Sequence, residues 1–336
     1  MNVTNELKEN TMDHTRLGTS GLKVSRIALG CMSFGDTSRM DWALDEKAAE
    51  PVFRQALDLG ITFWDTANIY GLGSSEEIVG KAITEYSSRD EIVLATKLFS
   101  KMHGGPGGSG LSRKAIFEQI DASLTRLGTD YVDLYQIHRF DPETPVEETM
   151  EALHDLVKAG KVRYLGASSM YAWQFASMQH AADLGGWTRF VSMQDQYSLI
   201  MREEEREMFG LLADQGVGSL PWSPLAAGRV ARPWGEQSSS RSKSNPDTDP
   251  KGRPLYLDSD KGIVDSVQQI AEKRGVPMAT VALAWVLRNP VVTAPIVGAT
   301  KEHHLTDAVA ALDLDLTDAE VTALEEHYAP HEPTYF

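Results

Sequence analysis

Cysteine is nearly missing from this chain: Cys31 is the only one among 336 residues. A single thiol excludes any intrachain disulfide and suits a reducing compartment. Long apolar runs are missing too. No stretch of about 18 consecutive apolar residues occurs, so the sequence offers no helix able to span a bilayer. Residues 1–14 are polar and acidic, without the basic and apolar regions of a secretion signal. The expectation is a cytoplasmic protein with one folded domain over residues 15–336 and a flexible segment over residues 1–14. Excess positive charge is also absent. With 32 Lys and Arg against 48 Asp and Glu, the formal net charge is −16. Nucleic acid, which needs a concentrated basic face, is excluded as a partner. No histidine stands at ligand spacing from cysteine or acids, so no metal site is expected.

What the chain does have is alternation. Apolar, β-rich runs fall at residues 26–29, 61–66, 92–97, 132–138, 162–168, 190–194, 217–222 and 292–297. They are mostly continuous, as parallel strands covered on both sides should be. Helical patterns such as residues 74–86, 112–127, 145–159 and 302–312 lie between or after them. Ser112 and Gly128 mark the ends of one helix, Pro145 and Gly160 those of another. Eight such strand–helix units predict a single (β/α)8 barrel. Residues 15–24 read as a hairpin turning at Thr19-Ser20-Gly21, placed to plug the barrel's lower end. A long loop, residues 226–260, and an extra helix, residues 262–274, are inserted between the seventh and eighth strands. Basic residues gather once, at residues 229–253, which reads as a solvated loop or as a flap over an anionic cofactor.

In such a barrel the chemistry sits at the C-terminal ends of the strands. Strand two ends at Asp65, strand three at Lys97 and strand four at His138, with Tyr70 five residues beyond Asp65. Alone, each has a bland reading as a solvated or core side chain. Together, on consecutive strands, they fit one reaction. A carbonyl that takes up a hydride needs a proton donor at its oxygen, and a phenol can serve. Free phenols hold their proton to about pH 10, and a neighbouring ammonium favours its release. Tyr70 is therefore expected as donor, Lys97 as its activator, Asp65 as the partner that holds Lys97, and His138 as a hydrogen-bond donor to the carbonyl oxygen.

The segment Gly60-Ile-Thr-Phe-Trp-Asp-Thr-Ala-Asn-Ile-Tyr70-Gly, followed by Ser75-Glu76-Glu77-Ile78-Val79-Gly80, resembles the first signature of the aldo-keto reductases. Leu94-Ala95-Thr96-Lys97 and Asp133-Leu-Tyr-Gln-Ile-His138 resemble the next two. Similarity runs from about Thr15 to the C-terminus and implies an NADPH-dependent reductase of aldehydes or ketones, with NADH as an alternative cofactor. It implies Asp65, Tyr70, Lys97 and His138 as catalytic residues. Residues 137–141, 193–197 and 202–207 resemble a bacterial branch associated with 1-deoxyxylulose 5-phosphate.

The cofactor would lie across strands five to eight. Ser168, Ser169 and Gln194 have hydroxyls and an amide suited to a carboxamide, although the family usually has Asn or Arg where Ser169 stands. Trp222 would stack on the nicotinamide. The segment Ser223, Pro224, Leu225, Gly228 and Arg229 resembles the family's pyrophosphate segment. Gly298, Thr300, Lys301 and His304 stand at a helix N-terminus that would receive the 2′-phosphate. Gly30, Cys31, Met32 and Asp65 complete the expected cofactor contacts. Gly105-Pro-Gly107-Gly-Ser-Gly110 satisfies G-x-G-x-x-G, but Pro106 and the distance from Lys97 argue against a dinucleotide fingerprint. It reads as a flexible loop at the substrate mouth. Met32, Phe34, Trp64 and Phe99 are expected on the substrate wall. A small carbonyl compound is the expected substrate; oligomeric state is not legible. Two rival readings remain: a non-catalytic cofactor-binding subunit, and an alcohol or sugar dehydrogenase working in the oxidising direction.

Overall fold

The computed structural model describes residues 12–38, 40–236, 248 and 252–332. Its first ladder is an antiparallel hairpin of β1 (His14–Arg16) and β2 (Lys23–Ser25). Eight parallel strands follow: β3 (Ala28–Gly30), β4 (Phe63–Asp65), β5 (Val93–Leu98), β6 (Val132–Ile137), β7 (Val162–Ser168), β8 (Phe190–Gln194), β9 (Gly218–Ser219) and β10 (Ile296–Gly298). They bond in the order β10-β3-β4-β5-β6-β7-β8-β9. Beyond this ladder the ends meet at a parallel bridge between Ser219 and Val292, and Ile296 N–H donates to Pro221 O at 2.8 Å. The result is a (β/α)8 barrel.

The expected bounds hold for β7 and β8, β5 is displaced by one residue, and the other barrel strands are shorter than expected. The seventh and eighth barrel strands shrink for a chemical reason: Pro221 and Pro295 lack the N–H a ladder needs. Helices cover the outside: α1 (Glu46–Asp58), α2 (Ser74–Tyr86), α3 (Arg113–Leu127), α4 (Val146–Lys158), α5 (Ala172–Gly185) and α6 (Met208–Gln215). After β9 come α7 (Asp260–Arg274) and α8 (Met278–Leu287), then α9 (His303–Ala310) and α10 (Asp318–Glu325) behind β10. The boundary signals act as read. Ser112 Oγ accepts from Ala115 N–H at 3.3 Å, and Gly128 closes α3 at φ 64°. No described helix is long and apolar enough to cross a membrane.

The hairpin closes the lower end. Leu17 and Val24 are fully buried and pack with Ala28, Phe63, Ala95, Leu134 and Leu220 inside the barrel. Thr19 N–H donates to Gly216 O at 2.8 Å, at the start of β9. Gly18 adopts φ 56°, and a Cβ there would sit 2.4 Å from Gly216 O, so the turn demands glycine. Part of the long loop (residues 237–247 and 249–251) and most of the N-terminal segment lie outside the described residues.

Candidate active site

Side chains alternate faces along a strand, so every second residue points to the barrel axis. Phe63, Ala95, Leu134 and Leu220 form part of the apolar interior. Two residues further along those same rows stand Asp65, Lys97, Gln136 and Trp222. Each row thus turns from apolar to polar on reaching the top of the barrel.

The four residues expected to act together do converge. Lys97 is fully buried, and its ammonium donates to Asp65 Oδ2 at 2.5 Å, to Thr66 O at 2.9 Å and to Tyr70 OH at 3.3 Å. Burial pulls the Lys97 pKa down, but the Asp65 charge, the Tyr70 oxygen and the hydrogen bonds to both outweigh it, and the net shift is upward. Lys97 therefore remains a cation beside the phenol oxygen. His138 follows β6, where its backbone N–H donates to Leu98 O at 2.9 Å. Its ring meets Tyr70 edge-on, with centroids 5.9 Å apart. Burial, and then the Lys97 and Arg139 charges, hold the His138 pKa well below the usual imidazole value. A neutral His138 offers one N–H and one acceptor nitrogen.

These groups floor a cavity of about 840 Å³, within the range of about 300–1,000 Å³ usual for small-molecule sites. Asp65, Tyr70 and His138 line it, while Lys97 acts from behind them. Gly30, Cys31 and Met32 form one wall, Ser168, Gln194 and Trp222 another, and Ser223, Pro224, Leu225 and Gly228 continue it. Its far end is walled by Gly298, Thr300, Lys301 and His304. Ser169 is buried beneath this wall and accepts the Trp222 indole N–H at 3.0 Å, which anchors the ring. Ser169, Ser223, Ala226 and Ala227 all hold positive φ without being glycine, and such strain gathers at functional sites. The Cys31 thiol is buried, and burial pushes its pKa well up, so it is an inert wall.

Several expected positions differ. Phe34 and Trp64 are fully buried in the layer between sheet and helices, against Phe53, not on the cavity wall. Trp64 faces outward because it alternates with Phe63 and Asp65, and its indole N–H donates to Ile61 O at 2.8 Å. Phe99 packs against the same core and does not line the cavity. The glycine-rich loop does not border the cavity either. It is tied in place by Met102 N–H to Gly108 O, Gly110 N–H to Phe99 O, and Gln119 Nε2–H to Gly107 O, at 2.8, 2.8 and 3.1 Å. Arg229 stacks on Tyr256, its guanidinium carbon 3.5 Å from the ring centroid. Arg232 stands on the cavity wall in its place, donating to Gly228 O at 2.7 Å. Asp41, Trp42, Leu44, Arg139, Gln196, Leu255, Tyr256 and Asp307 also line the cavity and escaped the sequence reading. Asp41, Trp42, Leu44, Leu255 and Tyr256, which lie outside strands and helices, carry no periodic signal. Gln136 did carry one, two residues before His138.

A model of the aldo/keto reductase family matches residues 26–329. The chain belongs to that family. It is an oxidoreductase of carbonyls and alcohols, as its named relatives also are. A versiconal hemiacetal acetate reductase of Aspergillus parasiticus is 44% identical over 337 residues, covering 95% of this chain and 98% of that protein. An aldo-keto reductase of Fusarium vanettenii is 46% identical, over 95% of this chain and 92% of that one. A Schizosaccharomyces pombe protein named as a candidate aryl-alcohol dehydrogenase is 43% identical, over 94% and 95%. These relatives are fungal, which corrects the expectation of a bacterial branch linked to 1-deoxyxylulose 5-phosphate. Of the residues behind that expectation, Asp141, Met193 and Tyr197 are buried, and residues 205–207 are exposed away from the cavity lining.

Proposed function

We propose that this aldo/keto reductase uses NADPH to reduce aldehydes or ketones attached to rings, with Tyr70 giving the proton to the substrate oxygen. The single observation that carries the reading is the Asp65–Lys97–Tyr70 relay at the cavity floor, with Lys97 Nζ 3.3 Å from the phenol oxygen. A cation held there favours the negative charge that grows on Tyr70 as its proton leaves. Neutral His138, whose ring meets Tyr70 edge-on, would donate a hydrogen bond to the same substrate oxygen.

The residues present fit a nicotinamide dinucleotide. The cavity runs from Tyr70 and His138 to Lys301, and the anchored Trp222 ring, the Ser168 hydroxyl and the Gln194 amide line one stretch of it. When bound, the nicotinamide supplies the hydride. Ser168 and Gln194 would hold its carboxamide, Trp222 would stack on the ring, and Arg232 would face the phosphates. Lys301 would meet the 2′-phosphate. Met32, Trp42 and Leu44 give the cavity apolar walls suited to a ring-bearing substrate. The names of the A. parasiticus and S. pombe relatives, a hemiacetal acetate reductase and a candidate aryl-alcohol dehydrogenase, support that class. Oxidation of the corresponding alcohols would run through the same atoms in reverse.

Tyr70→Phe tests the donor. Loss of one acid–base catalyst costs about 10²–10⁴-fold in rate. The variant should lose at least 10²-fold in kcat with 4-nitrobenzaldehyde while its Kd for NADPH stays within about twofold. Retention of more than about a tenth of wild-type kcat, with chemistry rate-limiting, would assign the proton to another group.

A further inference from the structure

Gln136 is fully buried at the top of β6 and does not line the cavity. Its Nε2–H donates to Asp65 Oδ1 at 2.8 Å. Gln194, on the cavity wall, donates through Nε2 both to that same Oδ1, at 3.0 Å, and to Gln136 Oε1, at 3.1 Å. The three side chains form a closed ring of hydrogen bonds. Its direction is fixed by chemistry, because Asp65, the counter-ion of the Lys97 ammonium, can only accept. Both amides must turn an N–H toward it. The Gln136 carbonyl is then left to take the second Gln194 proton. With both protons of its amide used, Gln194 has only its Oε1 acceptor left for the cavity.

The fold makes room for this arrangement. Gly166 pairs with Gln136 across β6 and β7, and a Cβ there would lie 3.0 Å from Gln136 Cγ and 2.5 Å from Ser192 Oγ. A side chain at residue 166 would press on the ring of hydrogen bonds from the neighbouring strand.

We infer that Gln136 is a positioning residue that, together with Asp65, locks the orientation of the Gln194 amide, so that the site presents an acceptor to the amide N–H group of the cofactor's carboxamide. Without Gln136, Asp65 still holds one Gln194 N–H, but the second proton has no partner inside the protein and the amide can pivot about the remaining bond, turning Oε1 away from the cavity. The inference rests on the nicotinamide reading above, and its test separates the two.

The probes are NADP⁺ and its 3-acetylpyridine analogue, in which a methyl ketone replaces the carboxamide and no N–H remains. Binding is read by quenching of tryptophan fluorescence. Wild type should bind NADP⁺ about 5- to 10-fold more tightly than the analogue, the size of one hydrogen bond. Gln136→Met should narrow that ratio to within about twofold by weakening NADP⁺ alone. Gly166→Ala, which displaces Gln136 without touching its amide, should narrow it in the same direction and serves if the first variant fails to fold. Gln194→Ala should narrow it fully, and adding Gln136→Met to that variant should change nothing more. An unchanged ratio in the folded variants overturns the inference, as does equal loss for both ligands, which would mark Gln136 as merely structural. Wild type that binds NADP⁺ without discriminating also overturns it and leaves the cofactor reading intact. Wild type that binds neither dinucleotide overturns both.

Discussion

At Lys97 the proposed chemistry and the stability of the fold rest on one side chain. Its ammonium is fully buried and satisfied by Asp65, Thr66 and Tyr70. Removing one partner of a buried ion pair commonly costs about 3–5 kcal/mol. Lys97→Met should therefore lower the melting temperature as well as abolish turnover, and the kcat–pH profile of any residual activity should shift. An unchanged profile would remove Lys97 from the proton path. Lys301 is a different case, exposed at the cavity's far end with Asp307 on the same wall. Charge-assisted contacts contribute about 1.5–3 kcal/mol, or roughly 10- to 150-fold in affinity. Solvent screening places Lys301 at the low end. Lys301→Ala should weaken NADPH binding by about 10-fold and leave NADH nearly unchanged, both measured by fluorescence titration. Equal losses for the two cofactors would refute a 2′-phosphate contact.

Among the elements, α10 shows how a helix end is tied to its neighbours. Thr317 Oγ1 accepts from Glu320 N–H at 3.3 Å, and Glu320 returns the bond by accepting from Thr317 N–H at 2.8 Å. Arg274, in the last turn of α7, donates to both Glu320 oxygens, at 2.7 and 2.6 Å. The Arg274 bonds first, then the Thr317 N–H, lower the Glu320 pKa from 4.5 to about 2. A carboxyl whose pKa falls on folding stabilises above its unfolded value. The contribution is therefore whole above about pH 4.5 and disappears as pH falls toward 2. Glu320→Gln should destabilise by about 1–2 kcal/mol at pH 7. In thermal unfolding, its deficit against wild type should shrink steadily below pH 4.5. A deficit that does not change with pH would mean the side chain acts by packing alone.

For the molecule as a whole, the barrel separates stability from chemistry by end. The hairpin plugs the lower end through Leu17 and Val24, while the site lies at the tops of the strands. Truncating a fully buried leucine costs about 2–5 kcal/mol. Leu17→Ala should lower stability in urea by about that amount, yet keep wild-type kcat and KM at temperatures where it remains folded. A large rise in KM would show that the two ends are coupled.

The barrel was legible in the sequence alone, and so were the four residues that meet at its top. Parallel strands must be apolar on both faces, the units recur eight times, and Asp65, Lys97 and His138 stand within one residue of the ends of consecutive strands. Local chemistry also placed the helix caps at Ser112 and Gly128. Which neighbours of the four residues face the cavity was set by packing between elements distant in the chain. Trp64 and Phe34 have the right composition for a wall, but the side-chain alternation at Trp64 and the packing of both on Phe53 send them into the core. Trp42, Arg232 and Tyr256 reach the cavity from loops whose course no periodicity records. Gln136 looks like one polar residue in an apolar strand. Its meaning arises from Asp65 and Gln194, 71 and 58 residues away along the chain, which closure of the barrel brings within hydrogen-bond distance.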